Sequence, residues 1–480
     1  CNSLIRLCSG MLRKVFNSCI KRNIGTYSLE KMPHPISLPL VGTKLNFILF
    51  GSGTKLHEYV DHRHKQLGPI FYESLGGKTE LVFISDPNLM KSLFLNLEGK
   101  YPAHILPEPW VLYEKLYGFK RGLFFMNGEE WLTNRRIMNK HLLHFDSEKW
   151  LEEPIKDTIK QFVSEWKNRA NEETFIPDLE TDLYRLSVNV IVNILLGSES
   201  TFIKSKQYED LMQMFSESVK RIFQTTTKLY GYPLNLCHKL GLSAWREFKE
   251  SVDISLLLSQ KLVNEILQQR NKTNGLIRML SNENINDEVI TRIIADFVIA
   301  AGDTTAYTSQ WILYLLSKNP EIKAEITMRD GSYVKQVVKE AMRLYPVAPF
   351  LTRILLKDSQ LGQFKLNAYT PIIASIYTSG RDENYFSNAD KFLPCRWDRN
   401  SSQRQSIQNH NPSASLPFAL GARSCIGKKI AMVQLIETTS QIARNFDLKC
   451  VNNTEVRAVT SQVLVPNQSI KLMVSNKEVI

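Results

Sequence analysis

Apolar side chains recur three and four positions apart along much of this chain, the spacing that gathers them on one side of a helix. From roughly residue 140 to 320 the pattern runs long with few Gly or Pro breakers, and it predicts long helices. Asn286-Asp287-Glu288 opens one of them with a capping residue and first-turn acids, and Lys318-Asn319-Pro320 closes it. At ~1.5 Å per residue that helix reaches about 48 Å, enough to cross a domain. Strand-like runs, such as Leu81 to Ile84 and Pro371 to Tyr377, are short and scattered. No repeat, low-complexity tract or linker divides the rest of the chain, so residues 31–480 are expected to form one mainly α domain with small β-sheets.

The first 30 residues follow a different rule. They carry Arg6, Arg13, Lys14, Lys21 and Arg22, with no acid before Glu30. Leu4, Ile5, Cys8, Met11, Leu12, Val15, Phe16, Cys19 and Ile20 recur at helical spacing. A basic, amphipathic, Ser-containing stretch of this kind reads as a mitochondrial transit segment over residues 1–30, with a basic surface helix as the bland alternative. It falls short of the roughly 20 apolar residues that a membrane span needs. Pro33, Pro35, Pro39 and Gly42 then form a short, stiff connector.

Composition narrows the class. With 43% hydrophobic and 22% charged residues, the 480-residue chain has the make-up of a globular protein with a large core. Seven scattered cysteines do not form a disulfide framework, so a reducing compartment is expected. A net charge of +12 favours an anionic membrane or an acidic protein partner, and no nucleic-acid motif is present.

Candidate chemistry concentrates in one turn, Phe418-Ala-Leu-Gly421-Ala-Arg423-Ser-Cys425-Ile-Gly427-Lys428. If the Cys425 sulfur is the axial ligand of a haem iron, its electron donation favours O–O cleavage, and each neighbour has a task. Gly421 permits the tight turn and Arg423 can pair with a haem propionate. Gly427 lets the following helix start close to the porphyrin, and backbone N–H groups near Ile426 and Gly427 can hydrogen-bond the sulfur. Phe418 would pack beside the sulfur and limit water. Midway along the long helix, Ala300-Ala-Gly302-Asp303-Thr304-Thr305 sets an acid and hydroxyls in an apolar stretch, a costly placement that points to a site. Thr304 and Asp303 are the expected proton carriers for dioxygen cleavage.

The loop from Phe418 to Gly427 resembles the cysteine-ligand loop of the cytochrome P450 family, matching at Phe418, Gly421, Arg423, Cys425 and Gly427. The resemblance extends over about residues 33–480. It implies the fold of that family, with haem b between a long central helix and the cysteine-ligand loop. It also implies that Trp131, Arg135 and Arg353 hold propionates, and that Glu340, Arg343 and Arg396 form a buried network supporting the loop. Ala301 stands where the family commonly has Gly, and Gly302 follows it, so the helix kink is expected one residue later. Mitochondrial members carry a lysine pair for docking a ferredoxin of the adrenodoxin type. Lys335 and Lys339 match it, and Lys428 and Lys429 would extend the patch. Electrons would then come from NADPH through ferredoxin reductase and ferredoxin. Only 20 positions separate Pro320 from Glu340, shorter than is usual in the family, so the segment ahead of the lysine pair reads as trimmed.

The implied activity is hydroxylation of a steroid with O₂ on the matrix side of the inner mitochondrial membrane, with peripheral membrane contact. The stretch from Asp296 to Trp311 is most similar to arthropod members that hydroxylate carbon 2 of the ecdysteroid nucleus, another ecdysteroid or sterol position being the alternative. Apolar segments at Tyr101 to Phe119, including Trp110 and Tyr113, near residues 205–230 and at Val347 to Leu351 are expected to shape the substrate pocket. A haem-thiolate isomerase or a non-catalytic haem binder would have no use for Thr304, Asp303 or the lysine pair.

Overall fold

The computed structural model describes residues 31–37, 42–43, 46, 53–74, 80–197, 205–229, 232–270, 273–283, 285–329, 331–405 and 407–477. The basic segment 1–30, and with it the expected transit sequence, lies outside them. Short helices α1 (Leu56–Leu67), α2 (Pro87–Ser92) and α3 (Glu108–Tyr117) precede the main helical body. That body comprises α4 (Gly128–Leu142), α5 (Ser147–Glu172), α6 (Leu179–Leu196), α7 (Lys206–Lys228), α8 (Leu234–Lys239), α9 (Ser243–Gln268), α10 (Leu276–Ser281) and α11 (Asp287–Lys318). Helices α12 (Pro320–Met328), α13 (Gly331–Leu344) and α14 (Lys428–Asn445) complete it.

Local sequence explains where the central helix starts and stops. The Asn286 side chain accepts from the Glu288 N–H at 2.8 Å, satisfying one orphan donor of the first turn of α11. At the other end Pro320 starts α12 at its first position, where a missing N–H costs nothing. Helix α6 is buried along most of its length and packs lengthwise on α11, while α7 and α9 pack on each other and flank it. Trp131, Trp166 and Trp311 are almost wholly enclosed in this part of the molecule.

Strands β1 (Ile70–Ser74), β2 (Glu80–Ile84), β3 (Phe350–Ile354) and β6 (Pro371–Ser375) form the largest sheet in the order β1-β2-β6-β3. In it β2 runs parallel to β6 and β3 antiparallel to β6, which sets Arg353 opposite Ile372. The expected strand to Tyr377 stops at Ser375. Ile376 and Tyr377 instead donate their N–H groups to Pro349 O, at 2.9 and 3.1 Å, and begin a helical turn. Hairpin β4 (Ser359–Leu361) with β5 (Phe364–Leu366), pair β7 (Phe446–Cys450) with β10 (Leu472–Asn476), and hairpin β8 (Ala458–Ser461) with β9 (Val463–Pro466) are separate small sheets.

The proline connector is docked onto the large sheet. Met32 is buried in the core beneath it, Pro33 O accepts from Tyr72 N–H at 3.0 Å, and the His34 ring stacks on Tyr72 at 4.7 Å. The short stretch from Pro320 to Glu340 contains all of α12 and most of α13. Among the described residues no helix is long and apolar enough to cross a membrane.

Candidate active site

Helix α14 begins at Lys428 with Gly427 as its capping residue, so Cys425 sits just ahead of a helix N-terminus. The loop before it is held by its own backbone: Cys425 N–H donates to Phe418 O at 2.9 Å and Ser424 N–H to Gly421 O at 3.1 Å. Gly421 is a steric necessity, with φ of +81° and a position where a Cβ would lie 2.1 Å from Phe94 O. Gly427 is different, since a Cβ there would meet nothing in the protein nearer than Cys425 Sγ at 4.0 Å. The protein's own packing therefore leaves room for a side chain at 427.

The Cys425 side chain is accessible to a small probe although protein surrounds it, so it opens onto an interior cleft. Burial pushes its thiol above the usual range, against the lowering effects of the Gly427 N–H bond and of Arg135 and Lys428. A free Cys425 is thus a thiol at neutral pH, and coordination to a metal ion is what would strip its proton. On α11, Ala300 is exposed and Thr304 half-exposed midway along a helix whose neighbouring positions are buried. Thr304 Oγ1 donates to Ala300 O at 2.8 Å, which parks the hydroxyl on that face.

Three arginines from remote segments converge on the loop. Arg135, one helical turn beyond Trp131 on α4, donates to Ser424 O at 2.7 Å. Arg423 lies over the Trp131 ring at 4.5 Å and donates to Pro102 O at 2.6 Å. Arg353 donates through Nε to Glu98 at 2.9 Å. Burial lowers all three below the usual arginine range; for Arg423, taken to about 10, the charges of Arg353 and Arg135 add to it, while Glu98 works against the shift in each. Arg135 Nε, Arg353 Nη2 and both ring nitrogens of His104 are buried without a partner. Crowded guanidinium groups with unused donors call for anions, and the two propionates of a haem whose iron meets Cys425 meet that need. The residues present fit the group.

Asp303 does not share the Thr304 face. About 100° around α11 from Thr304, it lines a cavity of about 180 Å³ with Glu180, Lys220, Tyr307, Gln310 and Ser461. Burial, helped by Glu180, raises its carboxyl to about 8, and its Oδ2 has no partner. Gly302 has a packing role. Helix α11 runs unbroken through it, and a Cβ there would lie 2.5 Å from the Tyr184 ring of α6, so the glycine serves helix-to-helix approach.

Glu340, Arg343 and Arg396 are 0%, 1% and 0% exposed. Arg343 grips the Glu340 carboxylate with two bonds, of 2.9 and 2.8 Å, and Arg396 Nε adds a third of 2.8 Å. Trp397 Nε1 and Leu393 N–H complete its shell at 2.9 and 3.0 Å. Burial would raise the Glu340 carboxyl, but the Arg343 bonds and both guanidinium charges outweigh it and hold the group below the carboxylate range.

On the far side of α13, Lys335 is exposed and Lys339 half-buried over the Trp397 ring at 5.5 Å. Burial and then the charges of Lys335, Lys428 and Arg399 depress Lys339, which places these four cations together. Lys429 departs from the expected patch: it turns to the start of α5, donating to His144 O at 2.6 Å and pairing with Glu148 at 3.7 Å. Arg399 takes its place, a residue with no distinguishing sequence signal. Trp110 and Tyr113 likewise depart from the expected pocket wall. Both are core residues packed with Ile222, Leu229 and Phe248, with Trp110 under Arg121 at 4.2 Å and Tyr113 donating to Asp253 at 2.6 Å.

Comparison with known proteins agrees with this geometry. The cytochrome P450 family model matches residues 32–474. Cytochrome P450 315a1, mitochondrial, of Drosophila melanogaster is 37% identical over 92% of this chain and 88% of its own length. The mitochondrial 1,25-dihydroxyvitamin D(3) 24-hydroxylase of Rattus norvegicus is 26% identical over 93% of this chain and 89% of its own. The mitochondrial cholesterol side-chain cleavage enzyme of Oncorhynchus mykiss is 26% identical over 87% of this chain and 84% of its own. A cysteine presented at a helix start, cations gathered about its loop and a match along nearly the whole chain lead to one conclusion: this chain belongs to the cytochrome P450 family and is a monooxygenase akin to its mitochondrial steroid hydroxylases.

Proposed function

We propose that this enzyme hydroxylates an ecdysteroid at carbon 2, taking electrons from an adrenodoxin-type ferredoxin on the matrix side of the inner mitochondrial membrane. The observation that carries this reading is the similarity to an insect mitochondrial P450, at 37% identity, against 26% to the vitamin D and cholesterol enzymes. Haem held by Cys425 supplies O₂ activation, with one oxygen atom entering a C–H bond and the other leaving as water at the expense of two electrons and two protons. The protein's part is to hold and supply. Arg135, Arg353 and Arg423 fix the propionates, and the Gly427 N–H steadies the sulfur. Thr304 holds its hydroxyl on the accessible face of α11. Asp303, with its carboxyl near 8, exchanges protons with the cavity that holds Glu180 and Lys220. Lys335, Lys339, Lys428 and Arg399 offer a cationic face to an acidic ferredoxin. Exposed Leu116, Tyr117 and Phe119 at the C-terminal end of α3, and Tyr232, Leu240 and Leu242 around α8, lie on neighbouring elements and suit peripheral membrane contact.

Reconstitution tests the reading. The purified protein is incubated with mitochondrial ferredoxin and its reductase, or with a microsomal reductase, on ecdysteroid precursors lacking the 2-hydroxyl. Oxygen added at carbon 2 only with ferredoxin is the expected result. Oxygen added at another carbon overturns the position, and turnover with the microsomal reductase alone overturns the electron route.

A further inference from the structure

Glu98 lies where the cysteine loop and the arginine cluster meet. It follows the π-helical turn Leu93–Leu97, a distorted turn of a type that favours functional sites. One carboxylate oxygen accepts from Arg353 Nε at 2.9 Å and the other from the Ala422 N–H, three residues before Cys425. The carboxylate is buried, its charge is felt by Arg135, Arg353 and Arg423 alike, and the adjacent Gly421 has no room for a Cβ beside it. His104, close to Arg423 and Arg353, adds no charge, because burial and then those two guanidiniums push it down to about 3. Three arginines and a ferric porphyrin core are balanced by two propionates, a thiolate and one further anion. Glu98 is that anion.

We infer that Glu98 is a positioning residue for the haem, a built-in counter-charge that sets the reduction potential of the iron while tying the propionate cradle to the cysteine loop. Reduction of ferric to ferrous iron adds one negative charge to the centre, so a nearby buried carboxylate opposes it. Removing that charge eases reduction. The inference rests on haem binding at Cys425 and on no particular substrate, so failure of the ecdysteroid reading leaves it standing.

The test is spectroelectrochemical titration of substrate-free holoprotein, wild type against Glu98→Gln and the charge-compensated double variant Glu98→Gln/Arg353→Gln. A wild-type Soret and carbon monoxide spectrum of the thiolate type first establishes the haem. Glu98→Gln is expected to keep that spectrum and shift the midpoint potential positive, and the double variant to move it back toward wild type. A haem-loaded Glu98→Gln with unchanged potential would overturn the inference, as would a double variant displaced further than the single one. If only the single variant fails to load haem, the double variant decides: a near-wild-type potential supports the counter-charge, and a displaced one refutes it. Loss of haem from both reduces Glu98 to a structural tether and ends the proposal.

Discussion

At the scale of single residues, burial and partner supply decide which groups are reactive. Asp303 and Glu340 are both enclosed carboxyls, yet one is raised to about 8 and the other held low, because Glu340 has two arginines and Asp303 has an unpartnered oxygen. The raised group makes a signed prediction. The unfolded chain ionises Asp303 near the ordinary value while the folded chain keeps it protonated to about 8, so its contribution to stability falls as pH rises across that interval. Asp303→Asn should therefore flatten the fall in stability between acid and mildly alkaline pH, read by thermal melts across pH. A wild-type-like pH profile would contradict the assignment. The same variant should lower coupled turnover on the order of 10²-fold, the scale of a lost proton carrier. Thr304→Ala, by contrast, should leave haem bound and substrate binding intact while electrons drain to reduced oxygen species. NADPH consumption set against product formation reads this directly, and full coupling would remove Thr304 from the proton route.

At the scale of elements, helix ends and helix contacts set where the working side chains lie. Gly302 of α11 meets Tyr184 of α6 with no room for a Cβ, and Gly302→Ala should cost about 1–3 kcal/mol through overpacking. Unfolding by denaturant measures it, and an unchanged midpoint would show that Tyr184 can yield. Helix α13 has two working faces. Its buried face fixes Glu340 and Arg343, and its outer face carries Lys335 and Lys339 beside Lys428. Lys335→Glu, on the exposed side, should raise the ferredoxin concentration needed for half-maximal reduction about tenfold with haem content unchanged, and the difference should shrink in high salt. Lys429→Glu should matter less, because that lysine is engaged with α5. Equal effects of the two would return Lys429 to the docking face.

At the scale of the whole molecule, charged groups drawn from distant parts of the chain hold the haem-side half together. Glu340 joins α13 to Leu393, Arg396 and Trp397, and through Arg343 to the carbonyls of Gly380 and Ala389 at 2.6 Å each. Taking away its carboxylate leaves two buried guanidiniums without a counter-ion, at a cost of about 3–5 kcal/mol. Glu340→Ala should thus yield protein that does not retain haem, measured as the haem-to-protein ratio after purification. Its depressed carboxyl also adds stability that is present above the ordinary glutamate range and is lost as pH falls through the folded value.

Contiguous residues by themselves determined the class. The loop from Phe418 to Gly427 holds a candidate ligand, its turn and its helix start within ten positions, and Asn286 and Pro320 bound the central helix through purely local backbone chemistry. Such features survive reading in one dimension because their partners are neighbours in sequence. The tertiary structure decided which way side chains point and whom they meet. It turned Asp303 away from Thr304, took Lys429 out of the basic face in favour of Arg399, buried Trp110 and Tyr113, and gave Gly302 to Tyr184. It alone revealed Glu98, whose bond to Ala422 spans 324 positions of chain. A lone glutamate before a glycine carries no sequence signal, since the cations that give it meaning arrive only when remote segments pack together.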